Sequence, residues 1–271
     1  MTPTPELFRD VTERLRAAGV DYPRLVARVL WEHAHTKTLS PTSVGERESL
    51  FESFIRRRIA REPVAYITGH REFWSLDFAV GPGVLVPRPE SETLIEQLVR
   101  AFPDKSAPLA LLDLGAGSGC LIAAALSEYP NATGTAVERS EAALAYCRAN
   151  LEKLGLSGRC RVIAQDFAQA AGSYDGILAN PPYIRRGDIA SLAPEVRLFE
   201  PLEALDGGED GLEAYRLLVT LSARLLKPSG LAFFEIGASQ ADALSAMMGR
   251  RLVGIVPDLA GNPRCAVGRK S

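Results

Sequence analysis

The sequence predicts an α/β protein: a doubly wound, mostly parallel seven-stranded sheet with an antiparallel edge strand, preceded by a small all-helical domain and a β-hairpin linker. Three observations carry this expectation. From residue 110 onward, short apolar runs alternate with stretches of helical periodicity, the pattern of β-α-β units in a parallel sheet. The last two apolar runs, 252–256 and 264–268, follow each other too closely for a crossover helix, which places an antiparallel pair at one edge. The first third instead repeats its apolar residues every three or four positions.

Taken in order, Thr4 caps a first helix, Pro5 takes a first-turn position, and Leu7, Val11 and Leu15 follow at spacing four until Gly19 closes it. Pro23 opens a second helix, with Leu25, Val26, Val29 and Leu30 on its apolar side. After Ser40-Pro41 a third carries Leu50, Phe51, Phe54, Ile55 and Ile59. Its polar side shows Arg56, Arg57, Arg58 and Arg61, a run that reads either as a solvated face or as a partner-docking surface. At Phe73 the period drops to two, through Leu76, Phe78 and Val80. Gly81-Pro82-Gly83 then reads as a turn and Val84-Leu85-Val86 as the returning strand. A helix over 92–102 turns Leu94, Ile95, Leu98 and Val99 inward. Sheet strands are expected at Ala110–Leu114, Thr133–Val137, Arg161–Ala164, Tyr174–Ala179 and Leu231–Ile236, with helices around 120–129, 140–154, 211–226 and 239–248. The implied organisation is a helical domain over 1–70, a hairpin linker over 71–90 and the main domain over 91–271.

Composition narrows the function classes. With 46% hydrophobic residues in 271, the chain has ample material for a core. A net charge of −2 leaves no basic footprint for stable nucleic-acid binding. The four cysteines (Cys120, Cys147, Cys160 and Cys265) form no Cys-x-x-Cys pair and the three histidines are badly placed, so neither a disulfide framework nor a metal site is expected. Met1-Thr-Pro-Thr-Pro-Glu6 lacks the basic and apolar regions of a signal peptide, and no apolar run approaches the ~18 residues that span a membrane. A cytoplasmic, monomeric protein is the expectation.

Two stretches carry chemistry. Asn180-Pro181-Pro182-Tyr183 follows the apolar run Gly176–Ala179, and a proline pair cannot continue a ladder. The chain therefore leaves the sheet at the carboxyl end of a strand, where ligands bind in open α/β sheets. The Asn180 oxygen and the Pro181 carbonyl suit the two hydrogens of a planar N–H₂ group, with the Tyr183 ring over its face; a strand end with a proline turn and a packed aromatic explains the same four residues. The second stretch is Asp113-Leu114-Gly115-Ala116-Gly117-Ser118-Gly119, between a strand and a helix. Glycines at spacing two let a ligand press against backbone where a Cβ would collide. Glu138 ends the next strand, close to the ~20-residue spacing of a carboxylate that takes ribose hydroxyls. Asp166-Phe167 ends the strand after, a natural place for an adenine contact. Loop, acid and Asp-Phe pair together favour S-adenosyl-L-methionine over tight strand–helix packing alone. Cys120, at the helix start, reads as a lowered-pKa thiol or as a small buried residue.

On these residues the chain resembles the bacterial-type N5-glutamine methyltransferases of peptide chain release factors, within the class I S-adenosylmethionine-dependent methyltransferases. The resemblance runs from about residue 60 to the C-terminus, through Arg61-Glu62-Pro63, Arg71-Glu72-Phe73-Trp74, Pro87-Arg88-Pro89-Glu90, the glycine loop and Asn180-Pro181-Pro182-Tyr183-Ile184. It continues through Ala204-Leu205-Asp206-Gly207-Gly208, Tyr215-Arg216, Glu235-Ile236-Gly237 and Asp258-Leu259-Ala260-Gly261. The Asn-Pro-Pro-Tyr tetrapeptide is shared with adenine and cytosine N-methyltransferases; the segments before and after it single out the glutamine enzymes. Glu138 stands where Asp is usual, Phe167 where Trp is common, and Ser91 where Thr is frequent, and none of these removes a chemical function. The resemblance implies methyl transfer to the glutamine of the Gly-Gly-Gln motif in class-1 release factors, with S-adenosyl-L-homocysteine as product and no metal. It implies that Asn180 and Pro181 bind the amide beside Pro182 and Tyr183, that Arg88 and Glu90 add substrate contacts, and that the helical domain recognises the factor. Glu90 and Glu92 read alternatively as general bases or as solvated partners of a helix N-terminus. The rival readings are an N-methyltransferase of DNA or RNA amines, a glutamine methyltransferase for another protein, and a binding module without turnover.

Overall fold

The computed structural model describes residues 4–37 and 44–270. Ser40-Pro41, expected to precede the third helix, and Met1–Pro3 lie outside them. In chain order the elements are α1 (Pro5–Ala17), α2 (Pro23–Lys37), α3 (Val44–Ile59), α4 (Val64–Thr68), β1 (His70–Phe73), β2 (Leu76–Ala79), α5 (Glu92–Ala101), β3 (Ala110–Leu114), α6 (Cys120–Glu128), β4 (Thr133–Glu138), α7 (Glu141–Lys153), β5 (Cys160–Ala164), β6 (Tyr174–Ala179), α8 (Pro194–Arg197), α9 (Glu213–Leu225), β7 (Leu226–Glu235), α10 (Ala241–Met248), β8 (Leu252–Pro257) and β9 (Pro263–Arg269). No helix among the described residues is long and apolar enough to cross a membrane.

The chain divides into two compact units. The first comprises Met1–His70 together with the distant segment Ala193–Phe199. In it Thr4 caps α1, its hydroxyl accepting from Leu7 N–H at 3.3 Å. Val11 and Leu15 of α1, and Phe51, Phe54 and Ile55 of α3, are buried as expected. The face of α2 is rotated from the expected one. Ala27, Leu30, Trp31 and Ala34 are buried at spacings three, one and three, whereas Leu25 is exposed. Trp31 is the cause: its ring meets Phe51 edge to face at 5.2 Å and draws its own side of the helix inward.

The arginine run is neither a solvated face nor a free docking surface. Arg58 is buried and donates to Glu195 of α8 at 2.8 Å; Arg61 reaches the other Glu195 oxygen at 2.5 Å and the Ala18 and Gly19 carbonyls at 3.1 and 2.5 Å. Arg57 pairs with Glu62, and Arg56 alone is exposed. Burial opposes ionisation of Glu195, but the hydrogen bonds from Arg61 and Arg58 overcome it and hold the carboxyl at about 2.

The second unit comprises Arg71–Leu192 and Glu200–Ser271. Its seven-stranded sheet has the order β5-β4-β3-β6-β7-β9-β8, parallel through β7 and antiparallel at β9 and β8. The two-stranded hairpin β1–β2 differs from expectation. It turns at Trp74-Ser75, both at positive φ (54° and 58°), the conformation of a two-residue type I′ turn. Gly81-Pro82-Gly83 does turn as expected, with Val84 N–H donating to the Gly81 carbonyl at 3.3 Å and Gly83 at φ +90°, but it does not join the two strands. Both glycines also allow close contact: a Cβ on Gly81 would lie 2.2 Å from the Tyr146 hydroxyl, and one on Gly83 2.7 Å from Ala142 Cβ, both on α7. Val84–Val86 forms no strand, and Val86 N–H is satisfied by the Glu200 carboxylate at 3.2 Å.

Candidate active site

The chain runs outward from β3 to β4 and β5, then returns to place β6 on the other side of β3. That reversal is the topological switch point where open α/β sheets form a cleft. Register aligns the strand ends: Asp113 pairs with Leu178, and Leu114 with Val137. Gly115, Glu138 and Asn180 thus emerge side by side. A cavity of about 590 Å³ opens there, within the range of small-molecule sites. Its wall brings together Gly115, Ala116, Gly117, Ser118, Glu138, Asp166, Phe167, Asn180, Pro181, Pro182 and Arg88. Asp113, Gly119, Glu90 and Tyr183 are not in it.

Gly115 and Gly117 have φ of +78° and +55°, and a Cβ added to either meets nothing within 4 Å. The space such side chains would occupy is the cavity. Gly119 differs, because a Cβ there would lie 3.0 Å from Cys147 Sγ; its bareness serves helix packing. Glu138 Oε2 accepts from Gly117 N–H at 2.9 Å, and Oε1 from Arg139 and Ser140 N–H at 2.7 and 2.8 Å. The carboxylate is thus fixed at the rim, with acceptor capacity left on Oε2. Asn150, fully buried on α7, ties the loop down from behind, donating to the Ser118 carbonyl at 2.9 Å while pairing both ways with Ala79.

Asp113 supports the loop from within the core. It is fully buried, accepts from Ile122 N–H at 3.2 Å, and leaves Oδ1 without a partner among the described residues. Burial raises its pKa to about 7, from an ordinary 3.8, against the Ile122 hydrogen bond and with help from Glu138. A carboxyl raised on folding stabilises the native state fully only below its ordinary pKa, and that contribution is lost as pH rises through about 7. Asp113→Asn removes the titration and adds an offset constant in pH. The stability of the variant relative to the parent should therefore climb by about 2–3 kcal/mol between pH 5 and pH 8. Denaturant melts at the two pH values measure this, and a difference independent of pH would show that Asp113 is ionised throughout. The neighbouring Cys120 is no activated thiol, since burial pushes it up to about 12.

Behind Asn180 lies a buried polar network that sequence reasoning missed. Asn180 Nδ2 donates to Ser91 Oγ at 3.2 Å, and Ser91 donates to Glu235 Oε2. Tyr183 OH donates to Glu235 Oε1 at 3.2 Å. Glu235 is 1% exposed, and its pKa is raised by burial. Burial also raises the Tyr183 phenol. The tetrapeptide's backbone is held in turn: Gln240 Nε2 donates to the Tyr183 carbonyl at 3.0 Å, and Gly207 N–H to the Ile184 carbonyl at 2.8 Å. A Cβ on Gly207 would lie 2.8 Å from Tyr183 Cα and 2.9 Å from the Pro182 oxygen, which explains a glycine there. Arg88 donates to Glu200 at 2.6 Å. Glu90 is exposed, and Glu92 accepts from Trp74 N–H at 2.8 Å, so neither is placed as a base. A charged residue ending the apolar run Leu231–Phe234 was the available signal for Glu235.

Comparison with known proteins places this geometry. Residues 90–200 match the family description "Methyltransferase small domain", and residues 6–69 match "PrmC N-terminal domain". The chain is 40% identical over 271 residues to the release factor glutamine methyltransferase of Caulobacter vibrioides, covering 96% of this chain and 93% of that one. Among solved structures, the hMettl16 catalytic domain, in complex with a 3′UTR hairpin, aligns with a TM-score of 0.57 at 15% identity, covering 79% of this chain and 81% of that one. A T. thermophilus 16S rRNA methyltransferase, solved with AdoMet and guanosine, aligns with a TM-score of 0.53 at 20% identity, covering 74% and 50%. These two likenesses are of fold.

Proposed function

From the premise that this chain belongs to the release factor glutamine methyltransferases, we propose that it moves the methyl group of S-adenosyl-L-methionine to the side-chain N5 of the glutamine in the Gly-Gly-Gln motif of class-1 release factors. The observation that supports this most is the meeting, in one cavity wall, of a bare glycine loop with an amide side chain at the next strand end. Gly115 and Gly117 leave room for a ligand against the backbone, Glu138 offers its Oε2 as an acceptor suited to a ribose hydroxyl, and Phe167 offers a face suited to adenine. The residues present therefore fit the donor, which when bound supplies a methyl on a sulfonium. The solved neighbour with AdoMet shares the fold, in keeping with this choice.

The chemistry asks two things of the protein. An amide nitrogen is a weak nucleophile because its lone pair is delocalised into the carbonyl. Acceptors on its two hydrogens draw density onto nitrogen and aim it, and holding reacting atoms at ~3–3.5 Å supplies several kcal/mol. Asn180 Oδ1 and the Pro181 carbonyl take these two places in the proposal, with Pro182 beside them and Tyr183 anchoring the turn through its hydroxyl. Acceptors preorganised for the positive charge that grows on nitrogen lower the barrier further. The two acceptors engage only a planar amide, a group every glutamine carries, so choice among glutamines rests on contacts elsewhere. The helical unit is the proposed surface. Since Arg57, Arg58 and Arg61 are engaged internally, exposed Tyr22 and Leu25 are better contact candidates than the arginine run.

The test is incubation of the full-length protein with labelled donor and three acceptors: an intact class-1 release factor, a short Gly-Gly-Gln peptide, and DNA. Peptide mass mapping should place one methyl on the motif glutamine of the intact factor, at a rate at least about tenfold above the peptide, the worth of ~1.4 kcal/mol of outside contacts. A methyl on adenine would overturn the substrate class. Equal rates for factor and peptide would overturn recognition by the folded partner.

A further inference from the structure

We propose that Glu235, acting through Ser91, is a positioning residue that fixes which atom of the Asn180 side chain faces the acceptor. The inference rests on the reading of Asn180 given above.

A side-chain amide has a donor corner and an acceptor corner of nearly equal size, and packing alone discriminates poorly between them. The hydrogen bonds behind Asn180 do discriminate. A carboxylate only accepts, and both oxygens of Glu235 receive hydroxyl donors, Ser91 on Oε2 and Tyr183 on Oε1. Ser91 has one hydroxyl hydrogen, which is thereby committed. Its oxygen can then only accept, so the atom of Asn180 that stands 3.2 Å away must be Nδ2. In a planar amide this turns Oδ1 to the other side, the corner needed to accept from a substrate N–H. A flipped amide would set two acceptors against each other at Ser91 with no hydrogen between them.

Two further observations separate this role from ordinary structure. Ser91 stands at the N-cap position of α5, where a serine normally accepts from the first backbone N–H groups, yet its side chain makes no cap bond. It turns away from the helix it begins, into the chain Glu235–Ser91–Asn180. Glu235 meanwhile closes a strand run of buried Phe233 and Phe234, where an apolar residue would cost less. A buried acid joined by hydroxyls to a residue of the cavity wall is placed for function. Strand pairing supplies the geometry, because Ala179 of β6 lies opposite Phe234 of β7, and Asn180 and Glu235 are the next residue of each.

The experiment is a double-mutant cycle on the full-length protein, with methylation of an intact release factor at saturating donor. Ser91→Ala should lower kcat about tenfold, as expected when one hydrogen bond worth ~1.4 kcal/mol is lost. Donor affinity by calorimetry should stay near that of the parent, whereas the melting temperature should fall, because the buried Glu235 loses a donor and Asn180 Nδ2 its acceptor. Ser91→Thr, which keeps the hydroxyl, should restore most of the rate. Glu235→Gln should lower kcat as well, because its amide brings a donor to a place that needs only acceptors. In an Asn180→Ala background, Ser91→Ala should cost nothing more. If the Ser91→Ala loss persists undiminished in that background, or if Ser91→Ala turns over normally, the positioning role is wrong while Asn180 stands. If Asn180→Ala itself turns over normally, the reading beneath it fails first.

Discussion

Asn180→Ala should lower methyl-transfer turnover by about 10²–10³-fold, the usual loss when one preorganised transition-state partner is removed. The loss should appear in kcat, because the acceptor at Asn180 matters most when positive charge grows on the substrate nitrogen. Donor binding should be nearly normal, since the glycine loop and Glu138 are held by Asn150 and by backbone N–H groups, none of them through Asn180. The fold should also tolerate the change. Ser91 keeps its hydrogen bond to Glu235, and only an acceptor lone pair on a hydroxyl is left open, a smaller penalty than an orphaned donor. Single-turnover rates with an intact release factor, alongside a melting curve, check both halves. A variant that melts normally and still methylates at the parent rate would reduce Asn180 to a strand end.

What was legible in the sequence was whatever depends on neighbours along the chain. Ala110–Leu114 and Tyr174–Ala179 form strands within the bounds read from their apolar runs, because loops with Gly or Pro close both. The switch point follows from strand order, and with it the place of the glycine loop and of Asn180. What was not legible depends on partners far along the chain. Arg58 and Arg61 look like a charged face until Glu195 is brought to them. The turn at Trp74-Ser75 gives no local sign, because neither residue favours positive φ; it is held from outside, by Glu92 on Trp74 N–H and by Glu128 on the indole at 2.7 Å. Arg88 was read as a substrate contact, and the structure shows it at the cavity wall with Glu200 already on its guanidinium. Ser91 and Glu235 belong to different halves of the second unit's sequence, so no spacing rule could have joined them.

Gly117 carries the second large effect. A side chain on this residue should abolish binding of the proposed donor, with affinity falling at least about 100-fold, equivalent to ~2.8 kcal/mol. The basis is steric and specific to position: a Cβ on Gly117 meets no protein atom within 4 Å, so whatever it displaces is in the cavity. Gly117→Val also places a β-branched residue at φ +55°, which adds backbone strain of about 1–3 kcal/mol and could lower affinity by disturbing the loop. Gly117→Asn separates the two causes, because asparagine tolerates the left-handed region and still fills the space. Both variants should lose donor binding in titration calorimetry, while Gly117→Asn melts close to the parent. Gly119→Ala is the contrast: its Cβ meets Cys147 Sγ at 3.0 Å, away from the cavity, so it should lower the melting temperature more than it weakens the donor. Parent-like binding by Gly117→Asn would remove the glycine loop from the donor site and leave its positive φ as a matter of strand-to-helix geometry alone.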